Sequence, residues 1–211
     1  RVFDLPWWEN YNGYGECPNT KVTNCLKEIF SIKPDLSLLS YEINPGEEDM
    51  ARAAAYLESI GATRQGNLRY NAIGLHYEGN TSPHNKNLSH EEAALICGWI
   101  IGKGFIPVLL DWDRRSPLPN NRTIFNPSAG HELWDKQGTG DAGRLAALIE
   151  QLTLFIGIDS GPGKVAGATT TPNLALWKKH HPIQFFDLCP NTLHLIPGDH
   201  RKIRPCNHDP V

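Results

Sequence analysis

The sequence lacks the features that mark several classes of protein. Its longest apolar runs, Phe105 to Leu110 and Leu152 to Ile158, are far shorter than the roughly 20 apolar residues that cross a bilayer. Twenty Lys and Arg against 23 Asp and Glu give a net charge of -3, without the dense basic surface typical of proteins that bind nucleic acid. We therefore expect neither a membrane span nor a nucleic-acid partner.

Paired cysteines and regular metal-ligand spacings are also lacking. The cysteines number five, which is odd, and their spacing is irregular, so a disulfide framework is not indicated and a reducing compartment is favoured. A group of possible zinc ligands lies towards the end of the chain: Cys189, His194, His200, Cys206 and His208. Their spacing matches no zinc-finger pattern, so we predict loop histidines and no metal.

The start of the chain has no Met, no basic region and no apolar signal segment. Residues 1–40 contain one amphipathic helical stripe, from Val22 to Phe30. Forty residues bury too little apolar area to fold alone. We predict that 1–40 is an N-terminal remnant or packing segment, and that the chain is a fragment of a longer protein.

Residues 41–190 alternate between helical and strand-like patterns. Asn44 can cap a helix with Pro45 at its first position, and Gly61 can end it. A buried strand is predicted at 71–76, followed by a helix that Ser89 and Glu92 begin as a capping box and that stops at Gly104. A second strand follows at 105–110.

The second half of this segment repeats the alternation. Leu145, Leu148, Ile149 and Leu152 share a helical face, and strands are predicted at 155–158 and 173–177. Strands that alternate with helices form a parallel sheet with helices on both faces. We predict a Rossmann-like α/β domain over 41–190, a long loop at 116–130 and an irregular tail over 191–211.

Polar residues follow three of the predicted strands, where ligands of parallel sheets bind. They lie at Glu78–Lys86, Asp111–Arg115 and Asp159–Lys164. The last stretch follows Phe155–Ile158 as Asp-Ser-Gly-Pro-Gly, a tight turn into a helix whose N–H groups could hold a diphosphate. The alternative is that Asp159 or Ser160 only caps that helix.

The order of these elements resembles glycosyltransferase family 9, the heptosyltransferase-like enzymes. That family has a helix, an apolar strand, Asp-(Ser or Thr)-Gly, a helix of small residues, and then Thr-Pro before another strand. This chain has FIGIDSGPGKVAGATTTPNLALW, with Thr171-Pro172 at the last turn. Lys164 stands where the family usually has His, which keeps a cationic donor.

A second family motif is a strand of the Ile-Gly-Leu-His type followed by a phosphate loop. Here IGLHYEGNTSPHNKNLSHEEA is similar to it, with Lys86 at the family's phosphate-binding Lys and Thr81 and Ser82 at its hydroxyls. Asn87-Leu88-Ser89 replaces the family's Arg-Trp-Pro. Lys86 could instead be a solvated surface lysine, and Asp111, a candidate ribose ligand, could instead pair with a neighbouring Arg.

The resemblance implies the C-terminal half of a GT-B glycosyltransferase that uses a nucleoside-diphosphate sugar and no further cofactor. The acceptor would be a glycan or a lipid-linked molecule, and the enzyme would be cytoplasmic, working at a membrane surface. The general base would lie in another domain. A non-catalytic nucleotide-sugar-binding module and a GT-B-like epimerase are the alternatives. The predicted donor site comprises Asn80, Thr81, Ser82, Lys86, Asp111, Asp159, Ser160, Gly161 and Lys164.

Overall fold

The computed structural model describes residues 30–32, 40–64, 66, 69–79, 83–110, 142–178 and 189–196. The elements in these residues, in chain order, are α1 (Glu47–Ser59), β1 (Tyr70–His76), α2 (Pro83–Lys86), α3 (His90–Gly102), β2 (Ile106–Leu109), α4 (Ala142–Glu150), β3 (Leu152–Ile158), α5 (Gly161–Gly167), β4 (Asn173–Leu176) and β5 (Thr192–Leu195). No helix in the described ranges is both long and apolar enough to span a membrane.

The strands form one sheet in the order β2-β1-β3-β4-β5. All four neighbouring pairs are parallel. In a parallel sheet all strands end at the same edge, so the loops that follow them are brought together. The predicted parallel α/β sheet is confirmed.

Helices cover both faces of the sheet, as predicted. On one face, buried residues of α1 and α4, such as Leu57 and Leu148, pack in one cluster with Phe155 of β3. On the other face Cys97 and Ile100 of α3 pack with sheet residues that include Leu75. Burial of large apolar side chains on both faces supplies most of the stabilisation of such a fold.

Two strand glycines make room for the ring of Phe155. A Cβ atom placed on Gly74 would lie 2.9 Å from Phe155 Cδ2, and one placed on Gly157 would lie 2.6 Å from Phe155 Cε1. Both distances are too short for real atoms. The glycines of the Ile-Gly-Leu-His and Phe-Ile-Gly-Ile strings therefore serve the packing of a buried aromatic ring in the centre of the sheet.

The predicted ends of α3 are confirmed. Ser89 Oγ accepts from Glu92 N at 3.1 Å, and Glu92 Oε2 accepts from Ser89 N at 2.7 Å, so the capping box is complete. Gly104, just beyond the helix, has a φ of +79°, which glycine adopts without steric cost.

The predicted start of α1 is wrong by two residues. The N-cap is Gly46, in extended conformation, and the helix begins at Glu47. Ile43 N donates to Ala168 O at 3.0 Å, which ties this segment to the loop before β4. The helix therefore begins only after Asn44 and Pro45.

One strand, β3, begins earlier than predicted, and another, β5, was not predicted. Leu152 belongs to β3, where it pairs with Tyr70, and not to the helical face assigned to it, because α4 ends at Glu150. Residues 192–195 form β5, although the tail from 191 was predicted to be irregular. This edge strand was not predicted because its apolar residues, Leu193 and Leu195, are exposed and do not mark a buried face.

The remaining predictions about local structure lie outside the described residues. They concern most of 1–40, including the helical stripe before Phe30, and the loop at 116–130.

Candidate functional site

The loops that follow the strands meet at one edge of the sheet, here called the carboxyl edge. His76 at the end of β1 pairs with Gly157, Leu75 pairs with Leu109, and Ile158 at the end of β3 pairs with Leu176. The strand ends are therefore level with one another. This is the arrangement that the sequence predicts for a ligand site on a parallel sheet.

Lys86 lies between the ends of β1 and β3. A Cβ atom placed on Gly79, just after β1, would lie 3.6 Å from Lys86 Cε and 3.9 Å from Ile158 Cδ1. The lysine stem and the end of β3, which Asp159 follows in the chain, are thus both neighbours of Gly79. The half-buried Lys86 and the Asp159 turn consequently share one edge.

The turn after β3 does not use its serine hydroxyl to cap the following helix. Ser160 is buried and occupies the N-cap of α5, but its side chain makes no capping bond. Its hydroxyl donates to Ile158 O at 3.2 Å instead. The alternative that Ser160 only caps the helix therefore loses support from the geometry.

Space is open beside this turn. A Cβ atom on Gly161 would meet nothing within 4 Å. Asp159 is half-buried, whereas Lys164 on α5 is exposed. Within the described part of the chain, no hydrogen bond or ion pair engages the Lys86 ammonium or the Asp159 carboxylate.

The path of the chain towards Asp111 is fixed by a buried histidine. His76 Nδ1 lies 2.5 Å from Leu110 O, and Leu110 N donates to Leu75 O at 2.9 Å. The last described residue of this segment is therefore held at the carboxyl edge. Asp111 itself, like Asn80, Thr81 and Ser82, lies outside the described residues.

Sequence reasoning missed long-range contacts of three residues that shape this edge, namely Asn87, Lys178 and Glu92. Asn87 bonds to both the N–H and the carbonyl of Gly79. Lys178, just after β4, donates to Glu92 Oε2 at 3.1 Å and so links β4 to the start of α3. Hydrogen bonds from Ser89 N and from Lys178 hold the pKa of Glu92 below its ordinary value. The capping-box pattern was the only sequence signal for any of the three.

A cleft of about 520 Å³ lies at the opposite, amino edge of the sheet, where the strands begin. Its lining includes Tyr41, Met50, Glu150, Thr170 and Asn191. The polar side chains there already bond to neighbouring groups: Thr170 N donates to Glu150 Oε2 at 2.8 Å. This cleft contains none of the predicted site residues.

The possible metal ligands within the described residues have other contacts. A Cβ atom on Gly167 would lie 2.5 Å from Cys189 Sγ, so this buried thiol packs against α5. His194 Nδ1 accepts from Trp177 Nε1 at 3.0 Å. The described ranges contain no group of three or more His, Cys, Asp or Glu residues that could hold a metal ion. His200, Cys206 and His208 lie outside them.

The chain is similar to proteins of one enzyme family. The family model described as glycosyltransferase family 9 (heptosyltransferase) matches residues 141–208. A segment of 76 residues is 34% identical to lipopolysaccharide heptosyltransferase 3 of Escherichia coli (strain K12), and it covers 34% of this chain and 22% of that protein.

Two solved structures have a similar fold. A family 9 glycosyl transferase from Veillonella parvula DSM 2008 matches with a TM-score of 0.57 at 20% identity, over 74% of this chain and 42% of that one. The ADP-heptose LPS heptosyltransferase II of E. coli matches with a TM-score of 0.53 at 16% identity, over 77% and 47% of the two chains. The match therefore spans less than half of either solved protein.

These matches agree with the order of elements found in the sequence. The turn from β3 into α5 lies within the matched residues 141–208, and the parallel sheet that carries it is common to the solved relatives. The resemblance is confirmed: the described part of the chain has the Rossmann-like fold of these solved relatives, and residues 141–208 match the family 9 model.

Proposed function

We propose that the protein is a glycosyltransferase that binds a nucleoside-diphosphate sugar at the carboxyl edge of its sheet. It passes the sugar, with inversion, to a glycan or a lipid-linked acceptor. The observation that carries the proposal is the position of Lys86, whose stem lies beside Gly79 after β1, a residue that Ile158 at the end of β3 also adjoins. This proximity supports a single ligand site between the two motifs that resemble the family.

Lys86 supplies the charge that this reaction needs. As the bond from the sugar to the diphosphate breaks, negative charge grows on the leaving phosphate oxygens, and a positioned ammonium stabilises that charge. Asn80, Thr81 and Ser82 precede Lys86 in the same loop, and we propose that they bind the diphosphate with it. The resemblance implies no metal, so we expect transfer to persist in the presence of EDTA.

The turn after β3 binds the rest of the donor in this proposal. Asp159 and Ser160 position the nucleotide sugar, with the main-chain N–H groups at Gly161, and Lys164 takes the place of the family's usual His. Asp111 binds the ribose hydroxyls. The general base that activates the acceptor lies outside these residues, in another part of the enzyme.

The proteins that match this chain support the choice of donor and setting. One solved relative is named as an ADP-heptose LPS heptosyltransferase, and a curated relative as a lipopolysaccharide heptosyltransferase. We therefore propose an ADP-linked sugar as donor and a lipid-linked glycan as acceptor. In this proposal the reaction occurs on the cytoplasmic side of a membrane, where such an acceptor is accessible.

Calorimetry with a panel of nucleotide sugars and nucleoside diphosphates tests the donor site. We expect one sugar nucleotide to bind, and Lys86→Ala to weaken that binding by roughly 10- to 100-fold, since a hydrogen bond to a charged group contributes about 1.5–3 kcal/mol. Lys103→Ala is the matched control, because Lys103 follows α3 at the amino edge and its removal should leave affinity unchanged. Equal losses in both variants contradict the proposal.

A radiolabelled-sugar transfer assay separates the enzyme from a second candidate, a non-catalytic nucleotide-sugar-binding module. The module is favoured by one observation, which is that the match spans less than half of each solved relative. Sugar transfer or donor hydrolysis supports the enzyme. Binding without any product under acceptor-rich conditions supports the module, and a change in the configuration of the free donor supports an epimerase.

A further inference from the structure

We propose that Asn87 is a positioning residue, whose amide clamps Gly79 and so fixes the main chain against which the Lys86 stem packs. The proposal deepens the proposed function, because it rests on Lys86 as the diphosphate-binding lysine. Asn87 itself need not touch the donor.

The clamp is a two-point bond between one side chain and one residue of main chain. Gly79 N donates to Asn87 Oδ1 at 2.9 Å, and Asn87 Nδ2 donates to Gly79 O at 3.1 Å. A side-chain amide can satisfy both polar groups of a residue in this way because it carries a donor and an acceptor side by side. Eight positions along the chain separate the two residues, so the clamp ties the two ends of the loop together.

The neighbours of Asn87 fix the same junction from the main chain. Asn87 N donates to Pro83 O at 2.8 Å, at the end of α2, and Leu88 N donates to Tyr77 O at 3.0 Å. Asn87 is therefore held on both sides, and its side chain has a defined direction. A rigid surrounding shell of this kind is what keeps a binding group within a few tenths of an ångström of its working position.

The clamped glycine is the residue against which Lys86 packs. A Cβ atom on Gly79 would lie 3.6 Å from Lys86 Cε, 3.8 Å from Asn87 Oδ1 and 3.9 Å from Ile158 Cδ1. Gly79 is thus the common neighbour of the lysine, the asparagine and the end of β3. Without its hydrogen bonds to Asn87, Gly79 would be able to move away from the Lys86 stem.

The departure from the family pattern at these positions fits this role. Asn87, Leu88 and Ser89 stand where the family has Arg-Trp-Pro, and each has a local function in this chain. Asn87 clamps Gly79, Leu88 packs against the core under α3, and Ser89 caps that helix. Residues 87–89 of this chain therefore anchor the loop through hydrogen bonds.

The first test measures the contact between Gly79 and Lys86 in the absence of any ligand. In the wild-type protein we expect nuclear Overhauser effects from the Gly79 α protons to the Lys86 ε methylene and to the Ile158 δ1 methyl. Asn87→Ala should weaken the effect to Lys86, and Asn87→Asp, which keeps an acceptor for Gly79 N but loses the donor, should retain part of it. An unchanged effect in Asn87→Ala overturns the proposal.

The second test measures the effect of Asn87 on binding affinity, with ADP and adenosine as the ligands. Asn87→Ala should weaken ADP binding by roughly 3- to 10-fold, within the range of coupling between contacting residues, and should leave adenosine binding unchanged. In a Lys86→Ala background the same substitution should have no further effect, because the lysine it positions is gone. An equal loss in both backgrounds overturns the proposal.

Asn71→Ala is the matched control. Asn71 Oδ1 accepts from Thr63 N at 2.8 Å, so this variant also removes an amide bond to the main chain, but at the amino end of the sheet. It should destabilise the fold and leave ADP affinity unchanged. Failure of the proposed function has a different signature, in which the wild type binds no nucleoside diphosphate while Asn87→Ala still weakens the contact between Gly79 and Lys86.

Discussion

Both edges of the sheet have side chains that bond to the main chain, but the carboxyl edge also has charged groups without a partner among the described residues. At the amino edge, side chains bond to the main chain: the Gln151 amide donates to Met50 O and Ala147 O, and Thr171 Oγ1 donates to Ile149 O. At the carboxyl edge the Lys86 ammonium and the Asp159 carboxylate meet no partner within the described residues. Polar groups that bond to the main chain stabilise a fold, whereas charged groups without such a partner are available to bind a ligand.

This difference also separates the cleft from the candidate site. The cleft of about 520 Å³ lies at the amino edge, where the polar groups already serve the fold. The cleft and the proposed donor site are therefore at opposite edges of the sheet. The proposal follows the strand ends and the charged groups that lack partners among the described residues.

The largest change in stability is expected from Asn191→Ala at the amino edge. The Asn191 amide donates to the carbonyls of Ala166, Thr169 and Thr171 at 2.6 to 2.9 Å. Removal of this donor should lower the free energy of unfolding by about 2–3 kcal/mol, measured by urea denaturation. Affinity for nucleotide sugar should not change, and a loss of affinity without a loss of stability would contradict this assignment of roles.

A second effect is expected from Asp159→Asn at the carboxyl edge. If this carboxylate accepts hydrogen bonds from hydroxyl groups of the donor sugar, the variant should bind the nucleotide sugar roughly 10-fold more weakly. Its free energy of unfolding should stay within about 0.5 kcal/mol of wild type. Calorimetry with the sugar nucleotide and with ADP checks this, since tighter ADP binding alone would place Asp159 beside the phosphates instead.

A smaller effect is expected from Arg69→Met at the amino edge. The Arg69 guanidinium donates to Thr170 Oγ1 at 2.6 Å and lies 3.7 Å from the Glu150 carboxylate. Partly exposed pairs of this kind contribute about 0.2–1 kcal/mol. The loss in free energy of unfolding should be smaller still in 1 M salt. A loss above that range that does not depend on salt would show that the contact is more than a surface ion pair.

The smallest effect is expected from Glu92→Gln, and it depends on pH. Hydrogen bonds from Ser89 N and then from Lys178 lower the pKa of Glu92 in the folded protein. A lowered pKa stabilises the fold above the ordinary glutamate pKa, and this stabilisation is lost as the pH falls through the lowered value. The variant should be slightly less stable than wild type at neutral pH, and the two should converge in acid. Urea denaturation at several pH values checks this, and a constant difference would contradict it.

Much of the fold was predictable because its signals are local in the chain. The Ser89 and Glu92 capping box, the stop at Gly104 and the alternation of strand and helix each depend on neighbouring residues. Errors arose where distant residues decide the outcome. The start of α1 depends on a bond from Ile43 N to Ala168 O, and β5 depends on its pairing with β4.

The candidate site was predictable to a lesser extent. Lys86 and Asp159–Gly161 were found through their place after strands and through resemblance to a family. Asn87, His76 and Lys178 were not found, since their partners Gly79, Leu110 and Glu92 become neighbours only in the folded chain. The hydrogen bonds of a site have no periodic signature in the sequence.

The sequence by itself determined the parallel sheet, the helices on both faces and the edge at which a ligand should bind. Apolar periodicity and helix caps act over a few residues, so a linear chain records them directly. Only the tertiary structure decided which polar groups bond to the main chain and which stay available. That choice depends on side chains brought together from distant positions, as Lys86 and Ile158 are both brought beside Gly79.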